Sequence, residues 1–243
     1  MNIFIDYQHI IRPAVFVLLF IILAIAEFSH PLAKRKSSRL QQWSINLSLG
    51  VINTLSMKLL LPLLAVGAAH YASEHQIGIF NLLNLPSLVV IILSLLMLDL
   101  IIYGQHVLLH KIPFLWTLHR MHHTEIGLDV SSALRFHPIE MVLSMVIKIA
   151  FVLLLGVPVA AVILFELLLN GLALFNHSNL KLAAKLDNCL RKVIVTPDVH
   201  WIHHSHLVKE TNSNYGFNLI IWDKLFSTYT AKPSVDYPQM QQG

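Results

Sequence analysis

The residues with the clearest chemical potential are histidines, of which the 243-residue chain has fifteen. Eight of them stand in three short strings with helical spacing: His106-x-x-x-His110, His119-x-x-His122-His123 and His200-x-x-His203-His204. Side chains three or four residues apart lie on one face of a helix, so each string predicts imidazoles that converge. Two further histidines lie between the strings, namely His137 and His177.

Clustered imidazoles of this kind indicate a metal site. Neutral imidazole ligates iron, zinc and copper, and it brings no negative charge, so the metal stays strongly Lewis acidic. A single zinc ion takes only about three or four protein ligands. The strings supply eight, and His177 and His137 raise the candidates to ten, so the sequence predicts two metal ions. His137 has a second interpretation as a structural residue, because Pro138 marks a turn directly after it.

Asp99 is the acidic residue associated with the first string, because it shares a helical face with His106 and His110. It lies near the predicted membrane boundary, where an unpaired carboxylate is costly. We interpret it as an acceptor that orients His106 or another ligand. A simple interfacial residue at a helix end is the alternative.

The composition predicts an all-α integral membrane protein. Hydrophobic residues make up 56% of the chain, charged residues only 12%, and the mean hydropathy is +0.65. Soluble domains contain roughly 25% charged residues, and in lipid the backbone is satisfied only in helices or closed barrels. We expect four to five transmembrane or hairpin helices, at Pro13–Ala26, Ile45–Ala69, Leu85–Tyr103 and Met141–Phe175. The last stretch is long enough for two passes, with a bend at Gly156 and Pro158.

Positive charge predicts the orientation, because cytoplasmic loops are enriched in lysine and arginine. Basic residues follow the first predicted helix, the third and the hairpin: Lys34, Arg35, Lys36, Arg39, Lys111, Arg120, Arg135, Lys181, Lys185, Arg191 and Lys192. None lies between His70 and Leu85. The prediction is an outside N-terminus and a His-rich cytoplasmic cap, whose last part begins at Asn176. This topology also explains the net charge of +4 without a nucleic-acid partner.

Other kinds of site are less well supported by the sequence. The chain lacks the HExxH string of zinc proteases and the G-x-S-x-G turn of serine hydrolases. It has no glycine-rich nicotinamide fingerprint, so an oxygenase would need electrons from a separate protein. The single Cys189 excludes an internal disulfide and a Cys-rich metal site. Two alternatives stay open: a zinc-dependent membrane hydrolase and a non-enzymatic membrane metal-binding or transport protein.

The strings resemble the fatty acid hydroxylase/sterol desaturase superfamily, whose pattern is HxxxH, then HxxHH, then a further HxxHH. The likeness extends to neighbouring residues: Asp99-x-x-x-Tyr103, Trp116-x-x-His119-Arg-x-His122-His123, Arg135-Phe-His-Pro-x-Glu140, Thr196-Pro-x-x-His200-x-x-His203-His204, Asn214-Tyr-Gly216 and Trp222-Asp223-x-x-Phe226-x-Thr-Tyr229. It divides the chain into a transmembrane region 1–97, a catalytic region 98–229 and a tail 230–243.

The resemblance implies a non-haem di-iron enzyme that uses O₂ as co-substrate to hydroxylate or desaturate a membrane lipid. Its implied iron ligands are His106, His110, His119, His122, His123, His177, His200, His203 and His204, with His137 as a further candidate. An external donor, such as a cytochrome, a ferredoxin or a reductase, would supply the electrons. We expect the enzyme in a bacterial inner membrane with its site on the cytoplasmic face, or in the endoplasmic reticulum if the chain is eukaryotic.

The segment Asn214–Tyr229 combines a turn with large apolar side chains. Gly216 supplies backbone freedom for the turn. The apolar residues that follow predict a segment that closes over the metal site. An amphipathic stretch at the membrane interface, with no part in catalysis, is the alternative interpretation.

Overall fold

Helices form nearly all of the regular structure, as the composition predicts. The computed structural model describes residues 3–242. In chain order its helices are α1 (Ile3–Asp6), α2 (Gln8–Ser29), α3 (Arg39–Leu60), α4 (Ala65–Glu74), α5 (Ile79–Leu82), α6 (Ser87–Lys111), α7 (Pro113–His123), α8 (Pro138–Leu155), α9 (Val159–His177), α10 (Ala184–Leu190), α11 (Pro197–His203), α12 (Val208–Thr211) and α13 (Ile221–Leu225). A 3-10 helix, Val130–Leu134, precedes α8. The described residues contain isolated β-bridges but no strand.

Five segments are long and apolar enough to cross a membrane: α2, the stretch Arg39–Leu82, α6, α8 and α9. Their outward faces carry large apolar side chains such as Ile25, Phe28 and Leu59, which are 63%, 74% and 83% exposed. An apolar surface of this extent is stable in lipid and unstable in water. The chain is therefore an all-α integral membrane protein, as predicted.

The second predicted helix is divided in two, so the prediction of one continuous helix from Ile45 to Ala69 was wrong. Helix α3 ends at Leu60, and α4 starts at Ala65. Pro62 explains the break, because proline has no backbone N–H to donate and disfavours helical geometry in the residue before it. Leu61 accordingly has an extended backbone, with φ −114° and ψ 122°.

The predicted hairpin is confirmed. Helix α8 ends at Leu155, and Gly156 follows in the left-handed region with φ 69°. Pro158 then precedes the first residue of α9. A side chain at Gly156 would also collide with the backbone, since a Cβ there would lie 2.6 Å from the carbonyl oxygen of Ile77. Glycine therefore permits both the turn and the close approach.

Helix α6 is longer than predicted, because it continues beyond Tyr103 to Lys111. Its last turns carry His106 and His110, so these imidazoles belong to a membrane-spanning helix. Pro113 then begins α7, where the missing N–H costs nothing. The apolar core of the bundle lies among α4, α6, α8 and α9, and small residues such as Ala68 and Ala161, both fully buried, let these helices approach closely.

Candidate metal centre

Nine of the ten candidate histidines come together in the structure, in two adjacent groups. Within each group the candidate ligand nitrogens all lie within 4.8 Å of one another. The first group is His106, His110, His119, His123 and His203, and the second is His122, His177, His200 and His204. His110 is partly buried and the other eight are buried. Two groups of four or five convergent ligands fit two metal ions.

Each HxxHH string divides its imidazoles between the two groups. In α7, His119 and His123 point to the first group, whereas His122 points to the second. The string of α11 has the opposite arrangement, with His203 in the first group. On a helix, residues i and i+4 lie nearly above one another, and residue i+3 points to one side of them. The i, i+3, i+4 spacing thus serves two neighbouring sites from one helix.

Five imidazoles are held from outside by their Nδ1 atoms. In four of them Nδ1 donates to a backbone carbonyl: His106 to Tyr215 (2.8 Å), His122 to Arg135 (3.0 Å), His177 to Ala173 (2.8 Å) and His203 to Ser213 (2.7 Å). The fifth, His119, donates to the carboxylate of Glu140 over 2.8 Å. A carbonyl can only accept, so Nδ1 carries the proton and Nε2 keeps its lone pair.

These Nε2 atoms face one another at short range. The Nε2 atoms of His122 and His177 are 2.9 Å apart, and those of His106 and His119 are 3.1 Å apart. Both partners in each pair present a lone pair, so neither pair is an ordinary hydrogen bond. Two ligands of one metal ion, each about 2.1 Å from it, lie about 3.0 to 3.4 Å apart. The observed separations are close to this range and fit a shared cation.

Further imidazole nitrogens within residues 3–242 are buried with no hydrogen-bond partner. They include Nε2 of His110, His123 and His203. Leaving a buried polar atom unpaired costs roughly 1–3 kcal/mol. A bound metal would satisfy these atoms directly, so the donor set fits the ions that the sequence predicts.

Electrostatics keep the cap imidazoles neutral, which is the form that binds metal. Burial lowers the pKa of His203 to about 3. Burial, followed by the influence of neighbouring imidazoles, also lowers the pKa values of His122, His123, His200 and His204. Protons therefore compete weakly with a metal ion near neutral pH.

The tenth candidate, His137, lies outside both groups. Its Nδ1 accepts from the backbone N–H of Ile139 over 3.2 Å and so caps the N-terminus of α8. The arrangement matches the structural interpretation of this residue.

Asp99 is not hydrogen-bonded to an imidazole. Its Oδ2 accepts from the indole N–H of Trp222 over 2.7 Å and from the backbone N–H of Leu219 over 3.2 Å. The carboxylate thus holds the segment 214–229 against α6, and the backbone carbonyl of Tyr215 takes the role predicted for Asp99 at His106.

Sequence reasoning assigned no role to Glu140, although this residue was noted within the Arg135-Phe-His-Pro-x-Glu string. Its carboxylate is buried in the first turn of α8 and accepts from His119. A carboxylate that orients a ligand imidazole also raises its basicity. The available signal was an acidic residue at the start of a membrane-spanning helix, close in sequence to the second histidine string.

The segment 214–229 forms part of the wall of the site. Tyr215 is fully buried, with its carbonyl at His106, and its backbone N–H donates to Asp223 over 2.8 Å. Asp223 also accepts from the backbone N–H of Gly216 (2.7 Å) and the hydroxyl of Thr228 (2.6 Å). The segment thus contacts the site through Tyr215, and its closure over the metal site stays a prediction.

The fold and the site together define a helical membrane protein with a two-part polyhistidine centre. Residues 91–228 match the family model described as fatty acid hydroxylase. The match covers more than half of the chain, and the protein belongs to this family.

Curated relatives include enzymes named as lipid hydroxylases and monooxygenases. The chain is 31% identical over 143 residues to the ornithine lipid hydroxylase OlsE of Rhizobium tropici, covering 59% of this chain and 42% of the relative. It is 27% identical over 135 residues to alkylglycerol monooxygenase of Homo sapiens (54% and 28%) and 31% identical over 138 residues to that of Danio rerio (56% and 30%). The matches thus span less than half of each relative's length. No solved structure matches.

Proposed function

We propose that this protein is an O₂-dependent di-iron oxidoreductase that hydroxylates a membrane lipid, with desaturation as the related outcome at the same site. The observation that carries the proposal is the convergence of nine imidazoles in two groups, with facing Nε2 atoms about 3 Å apart. The family supports the oxidoreductase class. The names of the relatives, a lipid hydroxylase and monooxygenases, favour hydroxylation.

Iron suits the donor set better than zinc does. Zinc prefers about four ligands in a tetrahedron, while the first group alone offers five imidazoles. The nine imidazoles would hold the two ions, and iron would supply the O₂ chemistry.

The chain's own residues orient the centre and exclude water. Carbonyl groups and Glu140 fix five rings from outside, so the imidazoles need little rearrangement when they bind metal. The buried Tyr215 and the partly buried Phe217 lie beside His106, with ring centroids 5.8 and 6.3 Å away. A dry, apolar wall limits wasteful reaction with water.

The overall reaction needs a partner. In a hydroxylation one oxygen atom enters a C–H bond and the other leaves as water, which consumes two electrons and two protons. The sequence has no nicotinamide fingerprint, so we assign the electrons to an external cytochrome, ferredoxin or reductase. The basic loop after α2 supports a site on the cytoplasmic face, because Ala33 of this loop is hydrogen-bonded to Asn179, two residues after His177. We assign the protein to a bacterial inner membrane, or to the endoplasmic reticulum if the chain is eukaryotic.

The first test is the metal content of detergent-purified protein from iron-replete cells, with Mössbauer spectroscopy of an iron-57 preparation. We expect a coupled pair of irons in each chain. The pair should be lost from His122→Ala and from His203→Ala, and retained by the matched control His137→Ala, which removes an imidazole outside both groups. Stoichiometric zinc, or equal loss in all three variants, would overturn the di-iron assignment.

The second test addresses the reaction. Membrane lipids are incubated with the loaded protein, a reducing system and isotopically labelled O₂, and lipid products are identified by mass spectrometry. We expect labelled oxygen in a lipid product, and none with His122→Ala. Loss of two hydrogens from a lipid without oxygen incorporation would instead identify a desaturase.

A further inference from the structure

An open groove on the lipid-facing side of α2 and α3 has no part in the polyhistidine centre. Its volume is about 350 Å³, and its walls include Phe20, Ile25 and Phe28 of α2 and Trp43 of α3. Ligand sites commonly have volumes of roughly 300–1,000 Å³ and mostly apolar walls. The metal-site imidazoles come from α6, α7, α9 and the region of α11, so the groove is a separate feature.

One cation lies at the rim of this otherwise apolar groove. The guanidinium of Arg39 lies over the rings of Phe28 and Trp43, 5.0 and 5.9 Å from their centroids. Among residues 3–242 no carboxylate forms an ion pair with it, and its Nε is buried without a hydrogen-bond partner. Glu27 lies close enough to attract Arg39 electrostatically, but it accepts its hydrogen bonds from the backbone N–H groups of Val130 and Asn179. Arg39 therefore has unused capacity for an anion.

The position of Arg39 adds to this capacity. It is the first residue of the 22-residue helix α3, and Ser38 before it makes no side-chain capping bond. The N-terminus of a helix carries partial positive charge and exposed N–H groups, which favour phosphate. The end of α2 and the start of α3 are also ends of candidate membrane spans, which we expect at the depth of lipid phosphates.

The groove is held in shape by contacts behind it. The indole N–H of Trp43 donates to Asp129 over 3.0 Å, and the same carboxylate pairs with Arg35 over 2.7 Å. Asp129 in turn caps the 3-10 helix. A wall that is already ordered loses little conformational freedom when a ligand binds.

We propose that this groove binds an anionic glycerophospholipid, with an acyl chain along α2 and the phosphate at Arg39. The apolar walls match a hydrocarbon chain, and the rim cation matches a phosphate at the same depth in the bilayer. A lipid that carries net negative charge is preferred over a zwitterionic one, because the groove offers no carboxylate to a choline or ethanolamine group. This lipid is distinct from the substrate of the proposed reaction.

Trp43 offers a direct measurement, because brominated acyl chains quench a tryptophan that they contact. The protein is reconstituted in phosphatidylcholine vesicles that contain increasing fractions of brominated phosphatidylglycerol or of brominated phosphatidylcholine. The chain has four tryptophans. The fluorescence of the Trp43→Phe variant is therefore subtracted, which leaves the emission of Trp43 alone. We expect the phosphatidylglycerol form to quench at a lower mole fraction than the phosphatidylcholine form.

Charge variants then test the role of Arg39. The half-point is the mole fraction of brominated lipid that gives half-maximal quenching. Arg39→Gln should raise the half-point for phosphatidylglycerol about tenfold and remove the preference over phosphatidylcholine. Arg39→Lys should keep part of the preference for phosphatidylglycerol. The matched control Lys34→Gln removes one positive charge from the loop just before α3, outside the groove, and should behave as wild type. The thermal unfolding midpoint of each variant in detergent checks folding, and it is independent of the groove signal.

Three results would overturn the proposal. Equal quenching by both brominated lipids would leave a nonselective lipid surface, and an unchanged half-point in Arg39→Gln would exclude the phosphate contact. A Trp43 that no brominated lipid quenches, in a protein that cross-links as a dimer through α2, would assign the groove to a second copy of the chain. None of these outcomes depends on whether the polyhistidine centre binds iron.

Discussion

Glu140 at the start of α8 accepts a hydrogen bond from Nδ1 of His119 in α7, over 2.8 Å, and both side chains are buried. The bond joins two helices and sets the direction of the His119 ring, whose Nε2 then faces His106 at 3.1 Å. Glu140 thereby controls the position of a candidate ligand without contacting the nitrogen that would face the metal.

We expect Glu140→Ala to lower metal affinity by about 10- to 100-fold, because ligands without their outer acceptor are less ordered and less basic. Glu140→Gln keeps an acceptor oxygen, so its loss of metal affinity should be smaller. Affinity is measured by competition with a calibrated chelator. The contrasting variant is Glu74→Gln, an exposed carboxylate at the end of α4. Wild-type affinity in Glu140→Ala would show that His119 is held in place by other contacts.

Asp198→Asn should stabilise the protein by an amount that depends on pH. Burial, and then the nearby carboxylate of Asp187, raise the pKa of Asp198 to about 6 from 3.8. A raised carboxyl pKa means that the charged form is penalised in the folded protein, so stability falls as pH rises through this range. Asp198→Asn should therefore raise the midpoint of thermal unfolding above about pH 6, and the gain should vanish below about pH 4.

Substitution of Asp187 should instead destabilise the protein. Its carboxylate pairs with Arg191 and accepts from the hydroxyl of Thr196 over 2.7 Å, so Asp187→Asn removes partners that the structure uses. The same unfolding measurements should show a loss of stability at neutral pH. Stabilisation by both substitutions would mean that charge repulsion alone governs this cluster.

A buried ion network lies within the membrane-spanning helices, away from the polyhistidine centre. Glu166 of α9 pairs with Arg12 of α2 and with Lys148 of α8, whose Nζ is 3.2 Å away. Removing one partner of a buried network leaves uncompensated charge, so Glu166→Gln should lower stability by about 3 kcal/mol. Thermal unfolding in detergent measures this, with Glu74→Gln as the exposed control. A change below about 1 kcal/mol would indicate that water or lipid headgroups already solvate the cations.

Asp223 should govern how firmly the segment 214–229 closes the site. In Asp223→Asn the new amide group cannot accept from both backbone N–H groups of Tyr215 and Gly216, which costs roughly 1–3 kcal/mol. We expect faster proteolysis within the segment and weaker metal binding, because His106 relies on the carbonyl of Tyr215. The exposed Asp236→Asn is the control. If proteolysis accelerates while metal affinity stays at the wild-type value, the segment covers the site without shaping it.

Local patterns predicted much of this architecture. The spacing of the histidine strings follows from helical geometry, and the hairpin follows from Gly156 and Pro158 within an apolar stretch. Pro62 was a visible signal for the break that divides α3 from α4, although the hydropathy of the surrounding stretch concealed it. These features depend on residues close together in sequence, where physical rules act directly.

Long-range pairing could not be predicted in the same way. Asp99 reaches Trp222 in the segment 214–229, whereas its nearest chemical partner in sequence was His106. The anchoring carbonyls of Tyr215 and Ser213 carry no signal at all, because every residue has a carbonyl. Which imidazole joins which group likewise depends on how α6, α7, α9 and α11 meet in space.

The division of each HxxHH string between two groups has a consequence for how the protein acquires metal. An ion in the first group would hold His119 and His123 and would thereby order the backbone that carries His122, a candidate ligand of the second group. The α11 string transmits the same effect in the reverse direction through His203. The ordering cost that the outer hydrogen bonds leave would be met largely by the first ion, so loading should be cooperative. Under limiting iron, a population of such chains should contain full and empty centres and few that are half filled.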